Sequence, residues 1–113
     1  MKVDITELLI FFDELRPSSK EEEGFYWFKS IYKNKFTVTL MLSIYEKKAA
    51  ITVYMDGETV TTSLHFKSCF SVNILDQERK CLEILHKNGR CFLSLIEGIS
   101  LEYEELEDQE EVF

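Results

Sequence analysis

Apolar and polar residues alternate along most of this chain, which is the pattern of β-strands that bury one face. Side chains two residues apart on a strand point to the same side, so each alternating segment presents an apolar row to a core. The segments recur about every ten residues, which predicts about seven short strands. Taking every second residue, the inward rows run from Phe36 to Ile44, Ala49 to Met55, Val60 to Phe66, Phe70 to Ile74, Cys91 to Leu95 and Ile99 to Tyr103.

Short polar connections separate these segments. Asp56-Gly57 is the strongest hairpin signal, because both residue types tolerate the positive φ that tight hairpin turns require. Asn88-Gly89 predicts a second tight hairpin between a strand at Cys81 to His86 and the row that starts at Cys91. Connections this short cannot make parallel crossovers, so the pattern predicts an antiparallel meander.

The N-terminal part has a different period, which predicts a helix. Asp4 is a good N-cap, and Pro17 is expected to end the helix because the residue before a proline avoids the helical region. The apolar residues with helical spacing are Ile5, Leu8, Leu9, Phe12 and Leu15.

The segment 25–32, which opens with Phe25-Tyr26-Trp27-Phe28, is interpreted as a strand, with a helix as the alternative. The predicted fold is α+β, with one N-terminal helix packed on a curved antiparallel β-meander of about seven strands that can curl into a half-barrel or sandwich. A chain of 113 residues with 45% apolar composition is expected to form a single domain, 1–113. Within it, residues 106–113 are expected to be a frayed acidic end.

The charge is concentrated at the C-terminal end. Of the 21 acidic residues, seven lie between Glu102 and Glu111, where there is no Lys or Arg, and the other 14 are nearly balanced by 13 bases. Strand geometry places Glu102 and Glu104 on one face, about 7 Å apart, which approaches the spacing of phosphates along a nucleic-acid strand. Such a row either solvates the chain or faces a basic partner.

The net charge of −8 argues against nucleic-acid binding and against docking on anionic lipid. No apolar run is long enough for a membrane span or a signal peptide, so we expect a cytoplasmic protein. Cys69, Cys81 and Cys91 are an odd number without a close pair, which favours free thiols over a disulfide framework.

The sequence favours a protein without enzymatic activity, metal or cofactor. A zinc site usually needs two closely spaced ligand pairs, and no Cys-x-x-Cys occurs here. Cys81 and Cys91, near the ends of one predicted hairpin, are candidates to face each other. No nucleophile motif accompanies His65 or His86, and no glycine-rich loop is present to hold a phosphate.

The small size, the acidic end and the hairpin and strand that finish in Gly98-Ile-Ser-Leu-Glu-Tyr-Glu-Glu105 resemble the immunity proteins of bacterial toxin systems, including contact-dependent growth inhibition. The resemblance is one of class and rests on no diagnostic motif. It implies a cytoplasmic inhibitor that binds one cognate toxin domain, typically a basic nuclease, and blocks its active site.

Under this hypothesis, acidic residues steer the encounter and buried aromatic residues slow dissociation. The candidate partner-binding residues are Glu102, Glu104, Glu105, Glu107 and Asp108, a second patch of Tyr54, Asp56 and Glu58, and the aromatic anchors Tyr26 and Trp27. The alternatives are a small acidic chaperone or other protein-binding module, which can be a homodimer, and a β-domain that encloses a small apolar molecule.

Overall fold

The computed structural model describes residues 1–17, 24–32, 36–56, 59–95 and 99–105. In these residues the protein is mostly β, with one short helix and two five-stranded sheets. The elements are β1 (Lys2–Val3), α1 (Ile5–Phe11), β2 (Glu14–Pro17), β3 (Phe25–Tyr32), β4 (Phe36–Ser43), β5 (Lys48–Met55), β6 (Thr59–Phe66), β7 (Cys69–Asp76), β8 (Cys81–His86), β9 (Gly89–Ser94) and β10 (Ser100–Glu105).

Apart from β1, each sheet is built from strands that are consecutive in the sequence. The first has the strand order β2-β3-β4-β5-β6 and is antiparallel throughout. The second has the order β1-β7-β8-β9-β10, in which only the two-residue β1 pairs in parallel, with β7. The α+β class, the antiparallel character and the strand at 25–32 are therefore confirmed.

The expected single meander of about seven strands is wrong. Buried side chains from both sheets and from α1 belong to one core cluster, so the sheets pack face to face. A seven-residue helix is only about 10 Å long, whereas five paired strands span about 19 Å between the outermost strand axes. The helix alone cannot cover such a sheet, and the second sheet supplies the missing cover.

The helix begins as predicted but ends early. Asp4 caps it, its side chain accepting a hydrogen bond from the backbone N–H of Glu7 at 3.1 Å. The helix stops at Phe11 rather than near Pro17, and Glu14–Pro17 forms a strand that pairs with β3. The pairing competes successfully with the helical pattern because Leu15 joins the core from the strand, and Pro17 is tolerated in a sheet-edge strand.

Side chains of the turn between β7 and β8 donate hydrogen bonds to α1. The Lys80 ammonium donates hydrogen bonds to the carbonyl oxygens of Ile10 and Phe11, at 3.1 and 2.9 Å. The Gln77 side-chain amide donates to the backbone carbonyl of Glu7 at 2.8 Å and to its carboxylate at 2.9 Å. The carbonyls of Ile10 and Phe11 are at the end of the helix and lack partners within it, so Lys80 satisfies them, and together with the bonds from Gln77 it fixes α1 to the second sheet.

The inward row predicted to start at Phe70 is shifted by a bulge. The β7–β8 pairing changes register between Cys69 and Ser71, and the extra residue, Phe70, is 54% exposed. Cys69 takes the inward position and is fully buried. A bulge interrupts the two-residue period, which is why alternation alone misplaced this side chain.

Candidate functional site

The candidate site is the outer surface of β10, an edge strand of the second sheet. Register with β9 places Glu102 opposite Phe92 and Glu104 opposite Arg90. Both glutamates are exposed and point away from the core, whereas Leu101 points to the opposite face of the strand and packs against the core. Pairing with β9 therefore holds these two carboxylates in a fixed row, about 7 Å apart by strand geometry.

Polar side chains of β7, β8 and β9 continue this face. Asn73 donates to the carboxylate of Glu83 at 3.1 Å, and Arg90 lies 3.7 Å from that carboxylate in an ion pair. Arg90 is thus engaged by Glu83, although its strand position is directly opposite Glu104. Glu83 partly offsets the charge of Arg90, so the row on β10 keeps its negative field.

The Tyr103 side chain lies on the other side of β10, at the open edge between the sheets. Its ring stacks on Phe66 of the opposite sheet with centroids 6.3 Å apart, and lies 5.5 Å from the His86 ring. Tyr103 is nevertheless 53% exposed. Alternation along the strand predicts an inward position for Tyr103, and Tyr103 is not among the residues predicted to contact a partner. Its accessibility follows from the position of β10 at the edge of the sheet.

The other proposed contact residues lie elsewhere. Tyr26 faces the core and stacks on Phe28, whereas Trp27 lies half-buried on the outer face of the first sheet, in register with Met41. Tyr54 shares that outer face, and Asp56 is exposed at the end of β5 with a φ of 55°.

The structure therefore does not bring the proposed residues into one surface. Glu102 and Glu104 lie on the outer face of one sheet, and Trp27 and Tyr54 lie on the outer face of the other. The backbone of Glu105 ends β10, but its side chain is outside the described part of the chain. Glu58, Glu107 and Asp108 are also outside the described residues.

Among the described residues, Ser63 and His65 form a hydrogen-bonded pair of the kind used in nucleophilic catalysis. Ser63 and His65 are neighbours on the same face of β6, with Oγ and Nε2 3.0 Å apart, and Thr52 extends this chain of hydroxyl groups. Within the described ranges no carboxylate hydrogen-bonds to His65, so the orienting acid of a nucleophilic triad is not part of this group.

The three cysteines are separated and free. Cys81 pairs with Ser94, whereas Cys91 pairs with Ile84, so the two thiols point to opposite faces of the sheet and the suggestion that they face each other is wrong. Burial raises the pKa of Cys69 and Cys91 to about 11. Burial, followed by the nearby carboxylates of Asp76 and Glu102, also raises the pKa of Cys81. All three thiols are therefore protonated and weakly nucleophilic at neutral pH.

In the described part of the chain, no group of three or more His, Cys, Asp or Glu side chains is arranged to hold a metal ion. No described helix has the length and apolar character needed to cross a bilayer. Comparisons with protein-family models, with curated proteins and with solved structures found no match to this chain.

Proposed function

We propose that this protein is a non-catalytic inhibitor of the immunity-protein class, which acts in the cytoplasm by binding a cognate toxin domain with a basic surface. The observation that carries the proposal is the position of Glu102 and Glu104 as two exposed carboxylates on the outer face of a paired edge strand. A row held by strand pairing presents its charge without a further loss of backbone entropy on binding.

The proposed mechanism has an electrostatic and a contact component. Carboxylates in a row attract a basic groove over a distance of about one Debye length, which is about 8 Å at physiological ionic strength, and so raise the association rate. Tyr103 points to the other side of β10 but is half-exposed at the edge, so a partner that covers the edge of β10 as well as its outer face would contact it, and this contact would slow dissociation. Among the residues proposed from sequence, Glu107 and Asp108 extend the acidic run beyond the described part of β10.

The edge position of β10 adds a second means of binding. β10 is the last strand in the order of its sheet, and no described strand pairs with its outer side. The free backbone groups of an edge strand can pair with an extended segment of a partner, while alternate side chains provide specificity. A basic strand laid along β10 would meet Glu102 and Glu104 on one face.

The alternative of an enclosed small molecule has less support. It requires space between the helix and the sheets, and that space is occupied by Leu8, Phe11 and Phe12, which are at most 3% exposed. Phe11 and Phe12 are in ring contact at 4.9 Å, and Phe12 stacks on Phe28 of β3 at 5.7 Å. A ligand in this position would have to displace these side chains.

The test uses the wild-type chain and the double variant Glu102→Gln/Glu104→Gln as baits for capture from a lysate of the native host. We expect the wild-type bait to retain one basic toxin domain, and the purified pair to inhibit the toxin's activity. The variant should associate more slowly with this domain at low salt, by roughly tenfold, and the difference should shrink at high salt because salt screens exposed charges.

A matched control is Glu14→Gln/Glu78→Gln, which removes the same charge from exposed positions on other elements. Surface substitutions of this kind usually change stability little, so all three proteins should fold. The proposal fails if the captured partner is not inhibited, or if the control slows association as much as the β10 variant does.

A further inference from the structure

One end of the sandwich is basic, in contrast to the chain as a whole. Three turns meet there through backbone bonds: the N–H of Cys69 donates to the carbonyl of Lys47 at 2.9 Å, and the N–H of Lys87 donates to that of Ser68 at 3.1 Å. We call this region the basic end; its exposed lysines are Lys47, Lys48, Lys67 and Lys87.

The basic end has an excess of positive charge among the described residues. Lys48 pairs with Glu46 at 3.3 Å, and both side chains are more than half exposed. In the described part of the chain, the other three lysines form no ion pair. Among the described residues, the basic end therefore concentrates ammonium groups without an ion pair, although the chain has a net charge of −8.

An apolar depression adjoins these lysines on the outer face of the first sheet. It has a volume of about 790 Å³ and is lined by Phe25, Met41 and Tyr45, with Ala50 as a small side chain of β5. Lys48 and Lys67 also line it. Glu46 lines it as well, and its carboxylate is paired with Lys48, which leaves Lys67 as the lysine of the lining without an ion pair among the described residues. The site thus combines an apolar surface with a cation, which is suited to a segment that carries both carboxylates and apolar side chains.

The chain itself supplies such a segment, starting beside the basic end. Glu105, the last residue of β10, pairs with Gly89, which directly follows the turn at Lys87. The sequence then continues with Glu107, Asp108, Glu110 and Glu111, and with the apolar pair Val112-Phe113.

Residues 106–113 are long enough to reach the basic end from the end of β10. Eight extended residues, 106–113, span at most about 26–29 Å. The Tyr103 ring of β10 is already 6.3 Å from the Phe66 ring, and Lys67 is the next residue along the chain. Little of the available length is needed to reach the first lysine.

We propose that residues 106–113 dock on the basic end of their own chain, with carboxylates against Lys67 and Lys87 and the Val112-Phe113 pair in the depression. This inference goes beyond the proposed function and does not depend on it. If both hold, a partner that binds Glu107 and Asp108 must displace the docked segment, so docking lowers the apparent affinity for that partner.

The test measures backbone amide NMR shifts of the full chain and of the variant Glu107→Gln/Asp108→Asn/Glu110→Gln/Glu111→Gln. We expect the largest shift changes in residues 47–50, 65–68 and 87–89, independent of protein concentration. In the wild type, about 0.5 M salt should move the same resonances part of the way toward their positions in the variant, because the Debye length falls to about 4 Å and the attraction between exposed carboxylates and ammonium groups weakens.

The control is Glu21→Gln/Glu22→Gln/Glu23→Gln, which removes three charges against the four of the C-terminal variant. It neutralises the acids that precede Gly24 in the sequence, and the Gly24 carbonyl accepts a hydrogen bond from the N–H of Ile44 at this same end. The proposal is overturned if only this control shifts the amides of the basic end. It is also overturned if the C-terminal variant shifts none of them, or if the shifts grow with protein concentration, which would indicate contact between copies. The Lys67→Gln/Lys87→Gln variant should reproduce the effect of neutralising the segment.

Discussion

Lys80 is predicted to be a main support of α1, although it lies 69 residues from the end of the helix that it holds. Its ammonium donates to the carbonyls of Ile10 and Phe11 and lies 5.4 Å from the centroid of the Phe11 ring. The substitution Lys80→Met keeps most of the aliphatic stem and removes the charge and both hydrogen bonds.

The expected loss follows from these contacts. A hydrogen bond from a charged donor contributes about 1.5–3 kcal/mol when sheltered, and a cation at a helix C-terminus contributes about 0.3–1 kcal/mol. Because the bond to Ile10 is solvent-exposed, we expect a total loss of about 2 kcal/mol rather than the sum of the largest values. At a urea m-value of about 1–2 kcal/mol/M, the unfolding midpoint should fall by roughly 1–2 M.

Lys47→Met is the matched control for this measurement. Lys47 and Lys80 both have positive φ, at 55° and 50°, so each variant places methionine in the same left-handed backbone conformation. Urea unfolding followed by circular dichroism gives the stability, and hydrogen exchange of the α1 amides reports whether the loss is local. Equal losses in the two variants, or unchanged exchange in α1, would refute the assigned role of Lys80.

Three further predictions concern the core and its titratable groups. Burial lowers the pKa of His86, so the unfolded state binds a proton more readily than the folded state does. The free energy of unfolding should be highest above about pH 6.5 and fall as the pH decreases below that value. The urea midpoints at about pH 7.5 and about pH 5.5 should therefore differ less in His86→Leu than in the wild type. Phe28→Ala removes a fully buried ring and should cost about 3–5 kcal/mol in the free energy of unfolding, measured by the same titration. In the native protein an alkylating reagent should modify Cys81 before Cys69 and Cys91, as mass spectrometry of digested samples would show, because the latter two are fully buried.

Local patterns predicted most of the elements. The two-residue period located β4, β5, β6, β8 and β9, because a strand with one buried face must alternate. Asp4 predicted the start of α1 because its carboxylate accepts the N–H of Glu7, an interaction within a single turn. These features depend on residues that are close in sequence, so one sequence is enough to infer them.

The candidate site was predicted only in part. The alternation in Leu101-Glu102-Tyr103-Glu104 correctly placed the two glutamates on one strand face, and pairing with β9 agrees with it. The accessibility of Tyr103 and the ion pair between Arg90 and Glu83 depend on which strand forms the edge and on side chains from neighbouring strands. Spacing along one strand carries no information about either.

The sequence by itself determined the strand-rich class, the helix start, the free cysteines and the concentration of charge at one end. Tertiary structure decided that the strands form two sheets, that β2 replaces the second half of the predicted helix, and that the bulge at Phe70 exposes its ring. It also gathered Lys47, Lys67 and Lys87 at one end, although they are 20 residues apart in sequence. The physical reason is that an apolar row in the sequence indicates only that this face must be buried. Which element buries it depends on the packing of the whole chain.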